Sequence, residues 1–423
     1  MDTKRIYRIL SDQKEEIQQK NYSSLCTRRE EQQLSLSTNL AQIVIGVRRS
    51  GKSTLCEMYL AKADTNYAYV NFDDDRLANI KTEDMDSVLD ALYQLYGDFD
   101  YIFFDEIQNI NNWQLFINRL LRQNKKIFIT GSNSKLLSSE LTTHLTGRHK
   151  KIELYPFSFA EYCDSLGTDL HSYTTKCIAL RKRALLEYLK SGGFPELINE
   201  ENKTDYIESL LNSIIKIDIS KRFRVRYVET LKRLASTLCD NFCQEFVSSE
   251  LSKKFGVSDH TIENYYSFLK EAFLLQGINK FSYKSIERVR GEKVYVVDLA
   301  FVSNRHNTFS TDNLGWRLEN TIFIELLRRT RNVYSDVFYF REKQWEIDFI
   351  VTKNGNVEQL IQVSFDISNE KTLKRELTGL LKASQKFNCK NLTLINFFDE
   401  KEVTIDGLTV NIVPASEWLC GNA

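Results

Sequence analysis

The chain has 423 residues, with Lys+Arg 57 against Asp+Glu 57, a formal net charge of +0. It is 42% hydrophobic and 12% aromatic with only 16 Gly and 3 Pro, which excludes collagen-like, linker-like and broadly disordered chains. At roughly 150 residues per domain, the length suits about three domains. Zero net charge argues against coating nucleic acid by bulk electrostatics, while a local basic face stays open. No apolar run approaches the ~20 residues that span a bilayer, and the first residues lead into no signal-type stretch, so no membrane contact and a cytoplasmic location are expected. The 8 cysteines form no C-x-x-C pair and read as buried free thiols, not a disulfide framework or zinc site.

In chain order, residues 5–33 are polar and helix-favouring, with Ile6, Ile9 and Leu10 on one face, and read as a helical arm. From residue 40 to 154 short apolar runs alternate with amphipathic stretches. The runs lie at 41–45, 67–72, 101–104, 126–129 and 151–154, and predict an α/β core with a five-stranded parallel sheet. Residues 157–240 are almost wholly helical, broken at Gly192-Gly193-Phe194-Pro195. Two short helices around Gly256 precede strands up to Asp298. From Gly315 onward a helix, strands near Phe338, Phe349 and Ile361, a second helix over 370–386 and closing strands are predicted.

Gly46-Val47-Arg48-Arg49-Ser50-Gly51-Lys52-Ser53 fits G-x-x-x-x-G-K-[S/T] in full, after a strand and before a helix that includes Thr54. Glycines let such a loop curl so that backbone N–H groups and the helix N-terminus face phosphate oxygens. Lys52 would reach the β- and γ-phosphates and Ser53 would ligate Mg²⁺; Arg48 and Arg49 would line the nucleotide pocket. Tyr101-Ile102-Phe103-Phe104-Asp105-Glu106 supplies a strand that ends in two carboxylates. Asp105 would hold the Mg²⁺ water shell and Glu106 would polarise the attacking water.

The strand at 67–72 lies between these motifs, an arrangement of hydrolytic ATPases with an inserted central strand. No N-K-x-D guanine reader is present nearby, since Asn124-Lys125-Lys126-Ile127 lacks the aspartate, and ATP is the expected nucleotide. After the next strand, Asn133 is placed to sense the γ-phosphate, or to cap the helix that follows. Arg148, before the final strand, is a candidate to neutralise transition-state charge in its own or a neighbouring subunit, with a solvated surface arginine as the alternative.

With these residues in view, the chain resembles the AAA-type P-loop ATPases of bacteria and archaea that carry a C-terminal domain of uncharacterised role. The resemblance rests on the loop, on Phe104-Asp105-Glu106-Ile107-Gln108, Gly131-Ser132-Asn133-Ser134, Leu145-Thr146-Gly147-Arg148 and Gly192-Gly193-Phe194-Pro195-Glu196. It continues through Lys293-Val294-Tyr295-Val296-Val297-Asp298, Glu346-Ile347-Asp348-Phe349 and Lys374-Arg375-Glu376-Leu377. It implies a helical arm (1–35), an AAA-type core (36–156), a helical lid (157–240), a winged-helix-like domain (241–300) and a degenerate restriction-endonuclease-like domain (301–423). It gives Asp105, Glu106, Asn133 and Arg148 the Walker B, catalytic, sensor and arginine-finger-like roles. No clear second-sensor arginine follows Gly192-Gly193.

Residues 246–265 read as helix-turn-helix, yet the second helix offers Asp259, His260, Glu263 and Asn264, poor chemistry beside phosphates. Basic residues gather instead at Lys280, Lys284, Arg288, Arg290 and Lys293, where a wing would lie. A DNA or protein partner through this domain and the tail is left open. A nuclease-like tail needs an aspartate and then E-x-K on the next strand. Asp348 fits the first position, whereas the second reads Gln362-Val363-Ser364. Glu319 or Glu325 are substitute carboxylates, and Lys371 or Lys374 substitute lysines. The expectation is an ATPase whose cycle drives a conformational change in a tail that does not cut. An ATP-gated nucleic-acid effector, a nucleotide-gated protein-binding switch and a homo-oligomer remain alternatives.

Overall fold

The computed structural model describes residues 2–132, 145–283, 291–305, 313–330 and 335–421. Two compact units make up the chain: residues up to Pro156 together with Glu271–Phe273, and the remainder, Phe157–Lys270 with Leu274 onward.

In the first unit, β1 (Ala41–Ile45), β2 (Tyr67–Asn71), β3 (Tyr101–Asp105), β4 (Lys126–Gly131) and β5 (His149–Glu153) form a sheet in the order β2-β3-β4-β1-β5. Every neighbouring pair is parallel. Strands with both faces covered carry near-continuous apolar runs, and β1 is buried at all five positions. Val44, Phe103, Phe128 and Ile152 pack on Leu55 and Leu60 of α2 (Lys52–Lys62). The strand inserted between β1 and β3 is β4. The 67–71 strand takes the edge beside β3, because sequence order between two motifs does not determine spatial order in a parallel sheet.

The N-terminal segment is integral to this unit. Asp2 caps α1 (Thr3–Gln18), whose Ile6, Ile9, Leu10 and Ile17 are buried. From the same face the Gln13 carboxamide donates to Asn71 O and accepts from Asn71 N, both at 3.0 Å. One side-chain amide thereby satisfies backbone groups at the end of edge strand β2. Helices α3 (Met85–Tyr96) and α4 (Trp113–Arg122) complete the connections between strands.

The second unit begins with helices over Phe159–Ser165, Thr175–Ser191, Lys203–Ser213 and Val228–Asp240. Helices Ser248–Phe255 and Asp259–Glu271 follow, turned at the left-handed Gly256. Strands β6 (Gln244–Glu245), β7 (Leu275–Asn279) and β8 (Glu292–Val296) make a small antiparallel sheet in the order β6-β8-β7. The last part is a six-stranded mixed sheet. It contains β9 (Ser335–Arg341), β10 (Glu346–Lys353), β11 (Asn356–Val363), β12 (Leu392–Asn396), β13 (Lys401–Ile405) and β14 (Leu408–Pro414). Their order is β13-β14-β12-β11-β10-β9. Helix Glu370–Phe387 lays Leu377, Leu380 and Ala383 on Ile347, Leu360 and Leu394 of this sheet.

All eight cysteines are free; Cys56, Cys163, Cys239, Cys243 and Cys389 are buried as expected, whereas Cys26, Cys177 and Cys420 are only half-buried. Among the described residues no helix is long and apolar enough to cross a membrane.

Candidate nucleotide site

The loop after β1 turns at two glycines for distinct reasons. A Cβ on Gly46 would lie 2.0 Å from Leu154 O, so only glycine lets the loop pass this close to the end of β5. Gly51 has φ +92, a backbone conformation side chains rarely adopt, and it is the residue from which α2 starts. Ser50, within the loop, is fully buried. Lys52 is buried too and donates to Val47 O at 3.0 Å, inside the curl. Thr54 follows in the first turn of α2, while Arg48 is half-buried and Arg49 exposed.

Across from the loop, the carboxyl end of β3 delivers Asp105 and Glu106. Ser53 Oγ donates to Asp105 Oδ1 at 2.8 Å, and Thr130 of β4 donates to the same oxygen. Burial pushes the Asp105 carboxyl up to about 6, with the adjacent Glu106 charge adding to it and the two hydroxyl donors opposing. Ser53 and Asp105 are the pair able to hold a divalent cation beside a phosphate.

Glu106 sits in the left-handed region at φ 52, an uncommon conformation for a side chain of this size. Its N–H donates to Thr130 Oγ1 at 3.2 Å, and its carboxylate accepts from Gln108 and, at 3.3 Å, from Ser132 Oγ. Asp73, just after β2, faces the same space. Burial and the Glu106 charge raise its carboxyl, while Arg48, Asn109 and Arg49 pull it down.

Several of these residues were not singled out from the sequence. Thr130 comes from β4 and Ser132 from the position just after it, and Gln108 lies two residues beyond Glu106. Arg28 had no motif to mark it. Its buried guanidinium donates to Ser50 O at 2.9 Å and to Tyr155 O at 2.7 Å, joining the loop to the chain that leaves β5. In the sequence it is one of two adjacent arginines, Arg28 and Arg29, in a polar segment ahead of β1, and nothing local separates them.

Asn133 lies outside the described residues, as do Lys284, Arg288 and Arg290 of the basic group. Arg148 is exposed, immediately before β5, and donates to Asn118 Oδ1 at 2.6 Å. Its own carbonyl accepts from Ala41 N at the amino end of β1. The loop leaves the carboxyl end of β1, so roughly 15 Å of five-residue strand separates Arg148 from the loop of its own chain.

The tail holds a second polar cluster. Asp348 N–H donates to Gln362 Oε1 at 3.3 Å, and Asp348 Oδ2 accepts from Val363 N at 2.9 Å. Gln362 Nε2 in turn donates to Glu376 Oε2 at 2.8 Å. Glu319 accepts from Lys293 Nζ at 2.6 Å and from Tyr295 OH at 2.8 Å. Burial and the Glu319 charge raise the Asp348 carboxyl, and Lys293 opposes them. Of the two substitute carboxylates, Glu319 therefore faces Asp348, whereas Glu325 is tied to Arg328 and Arg329. The lysine that acts on Asp348 is Lys293, which the sequence groups with the wing's basic residues. Lys371 and Lys374 instead line a groove beside Gln362.

The model of an AAA domain matches residues 38–163, and that of a domain of unknown function (DUF8612) matches residues 182–312. The chain is 34% identical over 402 residues to the uncharacterised protein MJ1544 of Methanocaldococcus jannaschii, covering 91% of this chain and 89% of that protein. It is 32% identical over 399 residues to an uncharacterised protein of Haemophilus influenzae, covering 90% and 94%. Among solved structures, the Walker-type ATPase PABY2304 of Pyrococcus abyssi is 14% identical with a TM-score of 0.40, over 66% of this chain and 97% of that one. The Holliday junction branch migration motor RuvB of Thermotoga maritima is 17% identical with a TM-score of 0.29, over 56% and 81%. With an AAA-type P-loop unit at its head and about a third of its residues shared over nearly the full length, the chain belongs to one family with the uncharacterised M. jannaschii and H. influenzae proteins.

Proposed function

We propose that this protein is a Mg²⁺-dependent ATPase whose cycle moves the helical and tail parts of the chain. The observation that carries the reading is the convergence of Ser53, Asp105 and Thr130 at the mouth of a complete phosphate loop, with Glu106 alongside. The loop's backbone N–H groups and Lys52 bind the β- and γ-phosphates, and Gly46 to Thr54 enclose them. Mg²⁺ held by Ser53 and Asp105 supplies neutralisation of phosphate charge. Glu106 orients the attacking water and accepts its proton, with Gln108 and Ser132 aiming the carboxylate until then. Asn133 senses the γ-phosphate. Arg148 acts on a neighbouring subunit's nucleotide, since it stands at the wrong end of the sheet for its own.

Transmission to the rest of the chain is supported by how the exit from β5 is held. Gly46 packs on Leu154 O and Arg28 bridges Ser50 O to Tyr155 O, so a loop that tightens on phosphate draws on residues 154–155. Residues 244–296 support a winged-helix reading, with two helices turned at Gly256 and a three-stranded sheet. Its second helix is acidic at its start, and Glu263 already accepts from Ser248, which favours packing or docking over reading DNA. A tail that does not cut is supported by Gln362 at the carboxylate position and by its engagement with Glu376.

Two substitutions test the ATPase reading. Lys52→Ala loses nucleotide binding by calorimetry. Glu106→Gln keeps it while turnover drops roughly 100-fold or more. Undiminished turnover in Glu106→Gln removes Glu106 from its role, and no heat on titrating wild type with Mg-ATP removes the reading altogether.

A further inference from the structure

The turn between β9 and β10 and the start of helix Glu370–Phe387 enclose a groove of about 590 Å³. Its floor is polar and buried, formed by Gln362 and Glu376, which are 4% and 5% exposed. Helix and hairpin approach closely there, since a Cβ on Gly379 would lie 3.1 Å from Glu346 O. The carboxylates of the groove all have cationic partners: Glu342 with Lys386, Glu346 with Arg341 at 3.8 Å, and Glu376 with Arg375. Lys343, Lys371 and Lys374 are left over. Their ammonium groups make no hydrogen bond or ion pair among the described residues, and all three are exposed on the groove.

The same groove is lined by the half-buried indole of Trp345, braced on Phe340 at 5.2 Å between ring centroids. A second hollow of about 620 Å³ meets the groove at Glu342 and carries Tyr283, whose ring is 67% exposed. Surplus lysines interleaved with accessible ring faces are the composition that holds unpaired bases by stacking and their backbone by charge. A duplex keeps its base faces covered and would leave Trp345 and Tyr283 without partners. An acidic peptide would use the lysines and not the rings.

We propose that this groove binds single-stranded polynucleotide, with Lys343, Lys371 and Lys374 on phosphates and Trp345 stacked on a base, and holds the strand without cutting it. The proposal goes beyond the nucleotide reading and stands apart from it. Wild type that bound no ATP would defeat that reading and leave this one intact.

The test uses the full chain without nucleotide and a fluorescent oligothymidylate of about twenty nucleotides, read by anisotropy across a salt series. Wild type binds at low salt, its affinity falling with salt by a slope of about 0.7 per phosphate neutralised. The triple variant Lys343→Ala, Lys371→Ala, Lys374→Ala flattens that slope by about 2 and weakens binding roughly 30-fold. Trp345→Leu weakens it roughly tenfold with the slope unchanged. Thermal melting and circular dichroism of the triple variant, which alters exposed side chains alone, report that it is folded. Wild-type affinity and slope in the triple variant overturn the proposal. So does equal affinity for the matching duplex, or equal affinity for polyglutamate of the same charge.

Discussion

Arg28 carries more of the nucleotide site than its position suggests. A guanidinium fixes several acceptors at once because its N–H groups are rigidly splayed, and here the acceptors are buried carbonyls from distant segments. Arg28→Ala would leave Ser50 O and Tyr155 O without this donor, a loss of about 2–4 kcal/mol. A lower urea midpoint together with a raised KM for ATP is the expected outcome. Arg28→Lys, with a single ammonium, should recover only part of either. An unchanged KM in a destabilised Arg28→Ala would restrict Arg28 to a folding role. The left-handed Glu106 is a second residue-scale feature. A backbone conformation of this kind persists only where the surroundings over-determine it, and Thr130 supplies the hydroxyl that holds its N–H.

At the scale of elements, the two motifs without a chemical role turn out to meet. Asp298, just beyond β8, accepts from Gly193 N at 2.8 Å and from Ala300 N at 2.8 Å, and so clasps the turn after helix Thr175–Ser191. Both oxygens are engaged and buried. Burial pushes this carboxyl up to about 6, with the two N–H donors opposing. The folded state then holds its proton at pH values where the unfolded chain has released it. Stability from this group is therefore highest below the ordinary aspartate range and is lost as pH rises towards about 6. Urea midpoints measured from pH 4 to 7 should show that decline in wild type and a shallower one in Asp298→Asn; identical slopes would remove Asp298 as its source. The same elements bring Lys293, not a residue of the helix Glu370–Phe387, to the polar cluster around Asp348. Lys293 and Tyr295 alternate along β8 and both reach Glu319, a contact visible only once the helix Leu314–Thr330 is laid beside that strand.

For the whole molecule, the placement of Arg148 bears on assembly. A parallel sheet has chemically distinct ends, and Arg148 and the phosphate loop occupy opposite ones. A role in hydrolysis thus requires a second copy. Arg148→Ala should bind ATP normally and turn over at least about tenfold more slowly. Mixing it with Lys52→Ala should restore part of the activity, because each supplies what the other lacks. Light scattering on Glu106→Gln with ATP should show an assembly. A monomer with full turnover would reduce Arg148 to the surface residue its exposure resembles.

What could be read without coordinates was whatever depends on neighbours along the chain. The phosphate loop, the acidic pair at the end of β3 and the five apolar strands are local patterns, and backbone geometry forces contiguous residues into one site. Helix and strand periodicity marked the tail's elements in the same way. Spatial order was not local: β4, not the 67–71 strand, lies between β1 and β3, because crossover connections free sheet order from chain order. Nor were the partners that reach each cluster from elsewhere: Arg28, Asp73 and Thr130 at the nucleotide site of the first unit, and Lys293 at the separate Asp348 cluster of the second. Buried charges and carbonyls demand partners wherever the fold brings them, and only packing decides which residues those are.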